Sequence, residues 1–547
     1  MTCLLANSLW AAGCIPEYAR FLRAIRRVEK EQEAILCRIV RSNADTEFGR
    51  AHGFSSIHSS AEFQRRVPVR DYDQHQPWIG RAESGIPNVL TREPIRLFEP
   101  TSGSSGGTKL IPYTTSLQRE FQRGIQPWIA DLFAHSPELL GGPAYWSISP
   151  PSAKGNKTSG GIPIGFDDDT SYLGGWKRSL VRSVMAVPGS VNLESDPEEF
   201  IYVALLYLLR ARDLRLISIW NPTYLLLMLD RLTEWRDRID FDFEHGTHFN
   251  ADDRRSQEVR EALRAGSLQE IYARIWPKLK LISCWTDANA AGPAAKLAAL
   301  FPLCRVQGKG LIATEAFISL PLTGHEGAAL SLRSHFLEFL PTDSGHALRA
   351  HELDLGGLYR IVVTTGGGLY RYMLGDQIEV TGRIEDCPLV RFVGRHDSVS
   401  DWFGEKLNDA HVARAFKHAF ANSGLVSSFA MLACDTTTPA GYALYIDTDG
   451  SGEQIAQAAA TIEADLRGNF HYDYARRLGQ LASVRAVRVR DGAGLYMKDA
   501  VRNGQKMGDV KVPALNRRSG WSSVFVVETD EEASFRNYRN SVGGGTV

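Results

Sequence analysis

The sequence predicts an α/β protein in two parts: a large N-terminal domain built on helix-covered, mainly parallel sheet, and a smaller C-terminal α+β domain. Three observations predict it. Between Tyr145 and Gln307, short apolar runs of strand length alternate with stretches of helical periodicity, the rhythm of a parallel sheet with helical crossovers. A chain of 547 residues is longer than one ordinary core organises. Near Gly394 to Leu407 a strand-rich region ends, and a new helix-and-strand pattern opens at Asp409.

The elements follow in order. Cys3 to Ile15 is apolar but lacks a basic leader, contains Asn7 and runs into Glu17, Arg20 and Arg23, so it reads as part of an amphipathic helical pair and not as a targeting segment. Residues 17 to 45 carry helical spacing, with Phe21, Ile25, Val28, Ile35 and Ile39 near one face. A polar, proline-punctuated stretch spans 62 to 99, and its end, Ile95 to Phe98, reads as a short strand. Thr115 to His135 is helical through Leu117, Phe121, Ile125, Trp128, Ile129 and Leu132. Strands are expected at 145–149, 214–220, 279–285 and 304–307, with helices at 197–211, 224–235 and 294–301 between them. An exposed loop system is expected over 150 to 175. Further strands are expected at 317–322, 330–340, 358–364 and 378–381. The C-terminal part has a helix from Asp409 to Ala421, strands at 428–434 and 442–446, a helix at 453–466 and a strand at 484–489. The Gly-rich tail 541–547 is expected to be disordered.

Bulk properties exclude several classes. Net charge is -1, which gives no basic excess for nucleic acid or an anionic membrane. The longest apolar runs are interrupted well short of the ~20 residues a membrane helix needs. Seven scattered cysteines with no C-x-x-C pair speak against zinc and a disulfide framework and for a reducing, cytoplasmic setting. Asp240, Asp242, Glu244, His245 and His248 fit no metal-ligand spacing and read as a solvated face.

Three short stretches carry chemistry. The first is Thr101-Ser102-Gly103-Ser104-Ser105-Gly106-Gly107-Thr108-Lys109. Glycines let backbone N–H groups converge on an anion, hydroxyls add rotatable donors, and Lys109 adds a mobile charge, so a phosphate cradle is expected; a flexible linker is the alternative. It is not a Walker loop, whose spacing is absent. The second is Gly308-Lys309-Gly310-Leu311-Ile312-Ala313-Thr314-Glu315. There Thr314 suits a phosphate oxygen and Glu315 a Mg²⁺ ion, against the plain alternative of a helix cap. The third runs from Gly366 to Asp376 and holds Tyr370, Arg371 and Gly375. A carboxylate in a Gly-Asp turn can accept both hydroxyls of a ribose; a hairpin turn explains the pair equally well.

In this order and spacing the three stretches resemble the acyl-adenylate-forming superfamily, and within it the auxin-responsive Gretchen Hagen family of acyl acid amido synthetases. Similar landmarks run from Phe98 to Lys511 and include His335 to Pro341, Gly368 to Gly382 and Phe392 to Leu407. At the second stretch the plant form reads Tyr-Ala-Ser-Ser-Glu, whereas this chain reads Leu311 to Glu315. The resemblance implies a nucleotide- and acyl-acid-binding domain over 1–395 with added β-barrel-like strands, a hinge at 396–407 and a lid domain over 408–547. It implies ATP and Mg²⁺ as cofactors and a small carboxylic acid and an amino acid as partners. Thr101, Ser102, Gly103, Ser104, Ser105, Gly106 and Lys109 would lie along the phosphates, Thr314 at the α-phosphate, Glu315 at Mg²⁺ and Asp376 at the ribose. Tyr370 and Arg371 would stand beside the nucleotide, Trp285 in an adenine or acyl wall, and Lys406 and Lys511 would be lid lysines. The implied activity is an ATP-dependent ligase joining an acid to an amine. A thiol acceptor and a catalytically silent nucleotide-binding relative are the alternatives.

Overall fold

The computed structural model describes residues 2–102, 108–146, 157–166, 175–193, 197–246, 248, 252–342, 345–395, 399–400, 402, 405, 407–435, 440–477, 479–503, 505, 507 and 510–525. The chain divides into two compact units, Met1–Val393 with Gln505–Asp509, and Gly394–Gly504 with the chain from Val510.

In the first unit, a helix spans Cys3–Ala24 and a second spans Val28–Ser42. The helical pair is therefore present, but its break falls at 25–27, inside the face expected to be continuous. The first helix continues through Pro16, Arg27 N–H closes the turn after it by donating to Ala24 O, and Ile25 O accepts from the distant Asp386 N–H. The stretch 62–99 is also more ordered than its polarity suggests: helices occupy Ser60–Arg66 and Tyr72–Glu83.

A hairpin follows, β1 (Leu97–Ser102) and β2 (Thr108–Tyr113), then the helix Thr115–His135. Thr114 caps that helix by accepting from Leu117 N–H. Leu117, Phe121, Trp128, Ile129 and Leu132 are all buried, so the periodicity read from the sequence is the core-facing stripe. Segment 157–166, part of the exposed loop system expected over 150–175, is irregular and largely exposed, and it lies along β1. Phe98 N–H donates to Pro163 O, Gly165 N–H to Phe98 O, and Phe166 N–H to the buried Glu99.

Four parallel strands form one sheet in the order β3 (Ala144–Trp146), β4 (Leu216–Ser218), β5 (Leu281–Cys284) and β6 (Arg305–Gly308). Helices Pro197–Arg210, Pro222–Asp230 and Ala291–Leu300 lie between the strands in sequence, as the alternating pattern requires. Asp242, grouped above with a solvated face, is buried and accepts from the Tyr202 hydroxyl, while Asp240 and Glu244 pair with Arg260.

A seven-stranded antiparallel sheet completes the unit: β7 (Ser319–Pro321), β8 (Ala328–Leu330), β9 (Phe336–Pro341), β10 (Leu348–Arg349), β11 (Leu358–Thr364), β12 (Tyr372–Ile384) and β13 (Cys387–Arg395). Its order is β10-β9-β11-β12-β13-β8-β7. The run 330–340, expected as one strand, is two, separated by the turn that holds Ser331 to His335.

The second unit has a short pair, β14 (Val399–Ser400) and β15 (Leu407–Asn408), and a four-stranded mixed sheet. The sheet is ordered β18 (Arg485–Arg488), β17 (Gly441–Asp447), β16 (Phe429–Asp435), β19 (Leu515–Asn516). Helices Asp409–Ser423 and Gly452–Leu466 pack with it around Leu432, Leu444, Ile446 and Ile462. Helices Phe470–Arg477 and Gly492–Arg502 go beyond the sequence-based expectation. Among the described residues, no helix is long and apolar enough to cross a membrane.

Candidate active site

Pairing around each of the three motifs places its side chains. β1 and β2 pair antiparallel from Leu97↔Tyr113 to Ser102↔Thr108. The Ser/Gly stretch thus joins two strands, and the helix starts beyond β2 at Thr115, as expected. Gly103, Ser104, Ser105 and Gly106 lie outside the described residues, and of Thr101 and Ser102 the backbone alone is described. Lys109 is half-buried, with its ammonium 5.6 Å from the centre of the Tyr72 ring. Tyr72 opens a helix locked by a capping box: Asp71 accepts from Gln74 N–H at 3.0 Å and Gln74 accepts from Asp71 N–H at 3.1 Å. Leu110 N–H donates to the Tyr72 hydroxyl at 2.9 Å, which pins that ring beside the lysine.

Thr314 and Glu315 form the tip of a tight turn, not a helix cap. Ala313 and Ala316 exchange backbone hydrogen bonds at 2.9 and 3.3 Å, with an Ile312↔Phe317 bridge behind them. Two contacts hold the base of the turn. Phe317 N–H donates to His335 Nε2 at 3.0 Å, and the Phe317 ring lies against Gly124, where a Cβ would stand 2.3 Å from it. Glu315 is buried, and the Tyr372 hydroxyl reaches towards it at 3.5 Å. Burial raises the pKa of the Tyr72 hydroxyl, and the charge of Glu315 adds to that rise.

The third motif separates into a supporting part and a presenting part. Gly366 N–H donates to Glu120 Oε2 at 2.8 Å, and the same oxygen accepts from His335 Nδ1 at 2.9 Å. One carboxylate from the helix Thr115–His135 thereby ties the second motif to the third. Tyr370 is fully buried, donates its hydroxyl to Leu90 O at 2.7 Å and stacks on Phe48. Arg371 is buried too, paired with Glu338 and donating to Gln64 O and Val67 O. The polar groups of both are committed to the interior, so in this structure they brace the third motif from within.

Asp376 lies within β12 and not in a hairpin turn. The register of β12 against β11 slips between Arg360↔Gln377 and Val362↔Met373, leaving Leu374, Gly375 and Asp376 as a bulge. Gly375 takes φ +82°, the left-handed region open to glycine. Bulges re-aim side chains beside functional sites, and this one turns the strand at Asp376. Lys109 thus stands over the Tyr72 ring, the charge of Glu315 acts on the Tyr72 hydroxyl, Tyr372 reaches towards Glu315, Thr314 shares the turn of Glu315, and Asp376 follows Tyr372 on one strand. Trp285, just past β5, leans on Trp220 with ring centres 6.0 Å apart. In the second unit Lys511 is exposed, and Lys406 lies outside the described residues. Tyr72, Tyr372, Glu120 and His335 carry no role in the sequence reading; only the Asp71…Gln74 capping pattern signals the first of them.

Three family models match the chain in succession: the GH3 family N-terminal domain over 17–304, the central domain over 328–395 and the C-terminal domain over 408–519. The chain belongs to the GH3 family. A probable indole-3-acetic acid-amido synthetase GH3.1 of Arabidopsis thaliana is 24% identical, with 93% of each chain covered. Indole-3-acetic acid-amido synthetase GH3.8 of Oryza sativa subsp. indica is 25% identical, over 92% of this chain and 91% of that one. Among solved structures, an AtGH3.15 acyl acid amido synthetase in complex with 2,4-DB superposes with a TM-score of 0.79 at 20% identity, covering 97% of this chain and 96% of that one. The fold of this GH3 chain is thus that of an acyl acid amido synthetase.

Proposed function

We propose that this GH3 chain is an ATP-dependent ligase. It activates a carboxylic acid as its adenylate, releasing pyrophosphate, and passes the acyl group to the amine of an amino acid, releasing AMP. The observation that carries this reading is the connection of side chains from three motifs far apart in sequence: Lys109 stands over Tyr72, the charge of Glu315 acts on the Tyr72 hydroxyl, and Tyr372 reaches towards Glu315. Such a site suits attack of a carboxylate on the α-phosphate, where catalysis is mostly positioning and charge stabilisation.

Lys109, held over the Tyr72 ring, offsets charge on the departing pyrophosphate. Thr314 donates its hydroxyl to the α-phosphate, and Asp376 accepts from the ribose hydroxyls. The donor set fits Mg²⁺, a hard cation that prefers carboxylate oxygen, and Glu315 would hold it. When bound, the ion draws charge from the phosphate oxygens. Thr101, Ser102, Gly103, Ser104, Ser105 and Gly106 remain proposed phosphate contacts, and Lys511 and Lys406 proposed lysines of the second unit. No protein nucleophile is required. Cys284 and Cys387, raised to about 12 by burial, stay thiols at neutral pH.

Acid-dependent pyrophosphate exchange tests the first half of the reaction. Lys109→Ala and Glu315→Ala should each lose about a hundredfold or more in exchange rate while melting as the wild type does. Normal exchange in both would contradict their roles. Product mass with amino acids or with coenzyme A as acceptor reports the second half.

A further inference from the structure

A buried lysine of the second stretch, given no role above, stands at the carboxyl ends of the parallel strands, where open α/β sheets bind ligands. Trp146, Ser218, Ser283 and Gln307 occupy the same register across β3 to β6, so their side chains share one sheet face. The helix Thr115–His135 covers that face, and its Trp128 indole N–H donates to Gln307 Oε1 at 3.2 Å. Lys309 lies two residues past Gln307. Its ammonium is 4.9 Å from the Trp128 ring centre, 5.2 Å from Trp220 and 5.9 Å from Trp146, and it donates to Ser218 Oγ at 2.6 Å. Lys309 is only 4% exposed. Among the described residues no carboxylate pairs with it.

That arrangement is incomplete as a resting place for a cation. An ammonium has three N–H donors, and a single hydroxyl takes one of them. Indole faces attract the charge without accepting a conventional hydrogen bond. Trp146, Trp220 and Trp285 are each only half-buried, so the aromatic walls keep part of their surface exposed. We infer that Lys309 is the counter-ion for the carboxylate-bearing acid substrate, with Trp220 and Trp285 flanking a flat organic body; this rests on the ligase reading above.

Proton linkage gives the inference a signature that packing alone would not produce. Desolvation lowers the Lys309 pKa to about 7. Cys284 on β5 is the other titratable group that acts on it, and burial keeps that thiol neutral. An anion arriving beside the amine favours its charged form, so acid binding above about pH 7 takes up a proton.

The test uses the full chain, with benzoate, phenylacetate and indole-3-acetate as probes. In Lys309→Met, which keeps length and apolar packing, the acid KM should rise about tenfold or more near pH 6.5, with the ATP KM and thermal melt preserved. The wild-type acid KM should climb as pH rises above about 7, and that of the variant should stay flat. Should the variant fail to fold, calorimetry of the wild type with the same acids near pH 8, in buffers of different ionisation enthalpy, should show uptake approaching one proton. An unchanged acid KM and pH profile in a folded variant, or no uptake by the wild type, overturns the role of Lys309 while leaving the ligase standing. Wild-type exchange with no acid at all overturns both.

Discussion

Arg371 holds a backbone φ of +49°, a conformation L side chains seldom take, and its surroundings explain why it persists. Arg371 N–H donates to Thr364 Oγ1 at 2.9 Å, its carbonyl accepts from Arg70 N–H, and its guanidinium is shared between Glu338 and two main-chain carbonyls. Glu338 is fully buried, and desolvation pushes its pKa up against the pull of that guanidinium. Removing one member of such a pair leaves a charge without its counterpart in a low-dielectric interior. Arg371→Leu should therefore destabilise the first unit by about 3–5 kcal/mol, whereas Arg371→Leu with Glu338→Leu should recover most of that loss. Urea unfolding followed by tryptophan fluorescence would read the difference. A single variant as stable as the wild type would mean the pair is relaxed by water and contributes no more than a surface contact.

Elements, not single side chains, decide whether the motifs meet. The helix Thr115–His135 is the common support: Thr114 at its start donates to Gly366 O, Glu120 in its second turn accepts from Gly366 N–H and His335, and Gly124 gives Phe317 room. Glu120 thus fixes the third motif directly and the second through His335. Glu120→Ala leaves a buried backbone N–H and an imidazole without their acceptor, which should cost about 3 kcal/mol. As a positioning residue, Glu120 should show in kcat for adenylation more than in either KM. Glu120→Gln, whose amide oxygen can still accept from Gly366, should restore part of the rate. If Glu120→Ala lost stability but kept wild-type kcat, the network would be scaffold and nothing more.

At the scale of the whole chain, legibility followed how local each cause is. The bounds of the helix Thr115–His135 and the strand Leu358–Thr364 were readable because one periodic stripe defines each. The break at 25–27 was not, since the apolar spacing continues across it and Pro16 suggests a different place. The bulge at Leu374 to Asp376 was hidden because it depends on the partner strand, and the cage around Lys309 because its rings come from three separate elements. Family-level order supplies proposals that periodicity could not, among them two lysines in the second unit. One of these, Lys511, is exposed and sits in the segment Val510-Lys511-Val512-Pro513. If it supplies positive charge while the carboxylate attacks phosphate, Lys511→Ala should slow pyrophosphate exchange about a hundredfold. Aminolysis of a synthetic acyl-adenylate, which skips that step, should be far less affected. Measuring both half-reactions on the same preparation separates the cases: equal losses in the two would point to damage in the second unit, and no loss in either would remove Lys511 from the chemistry.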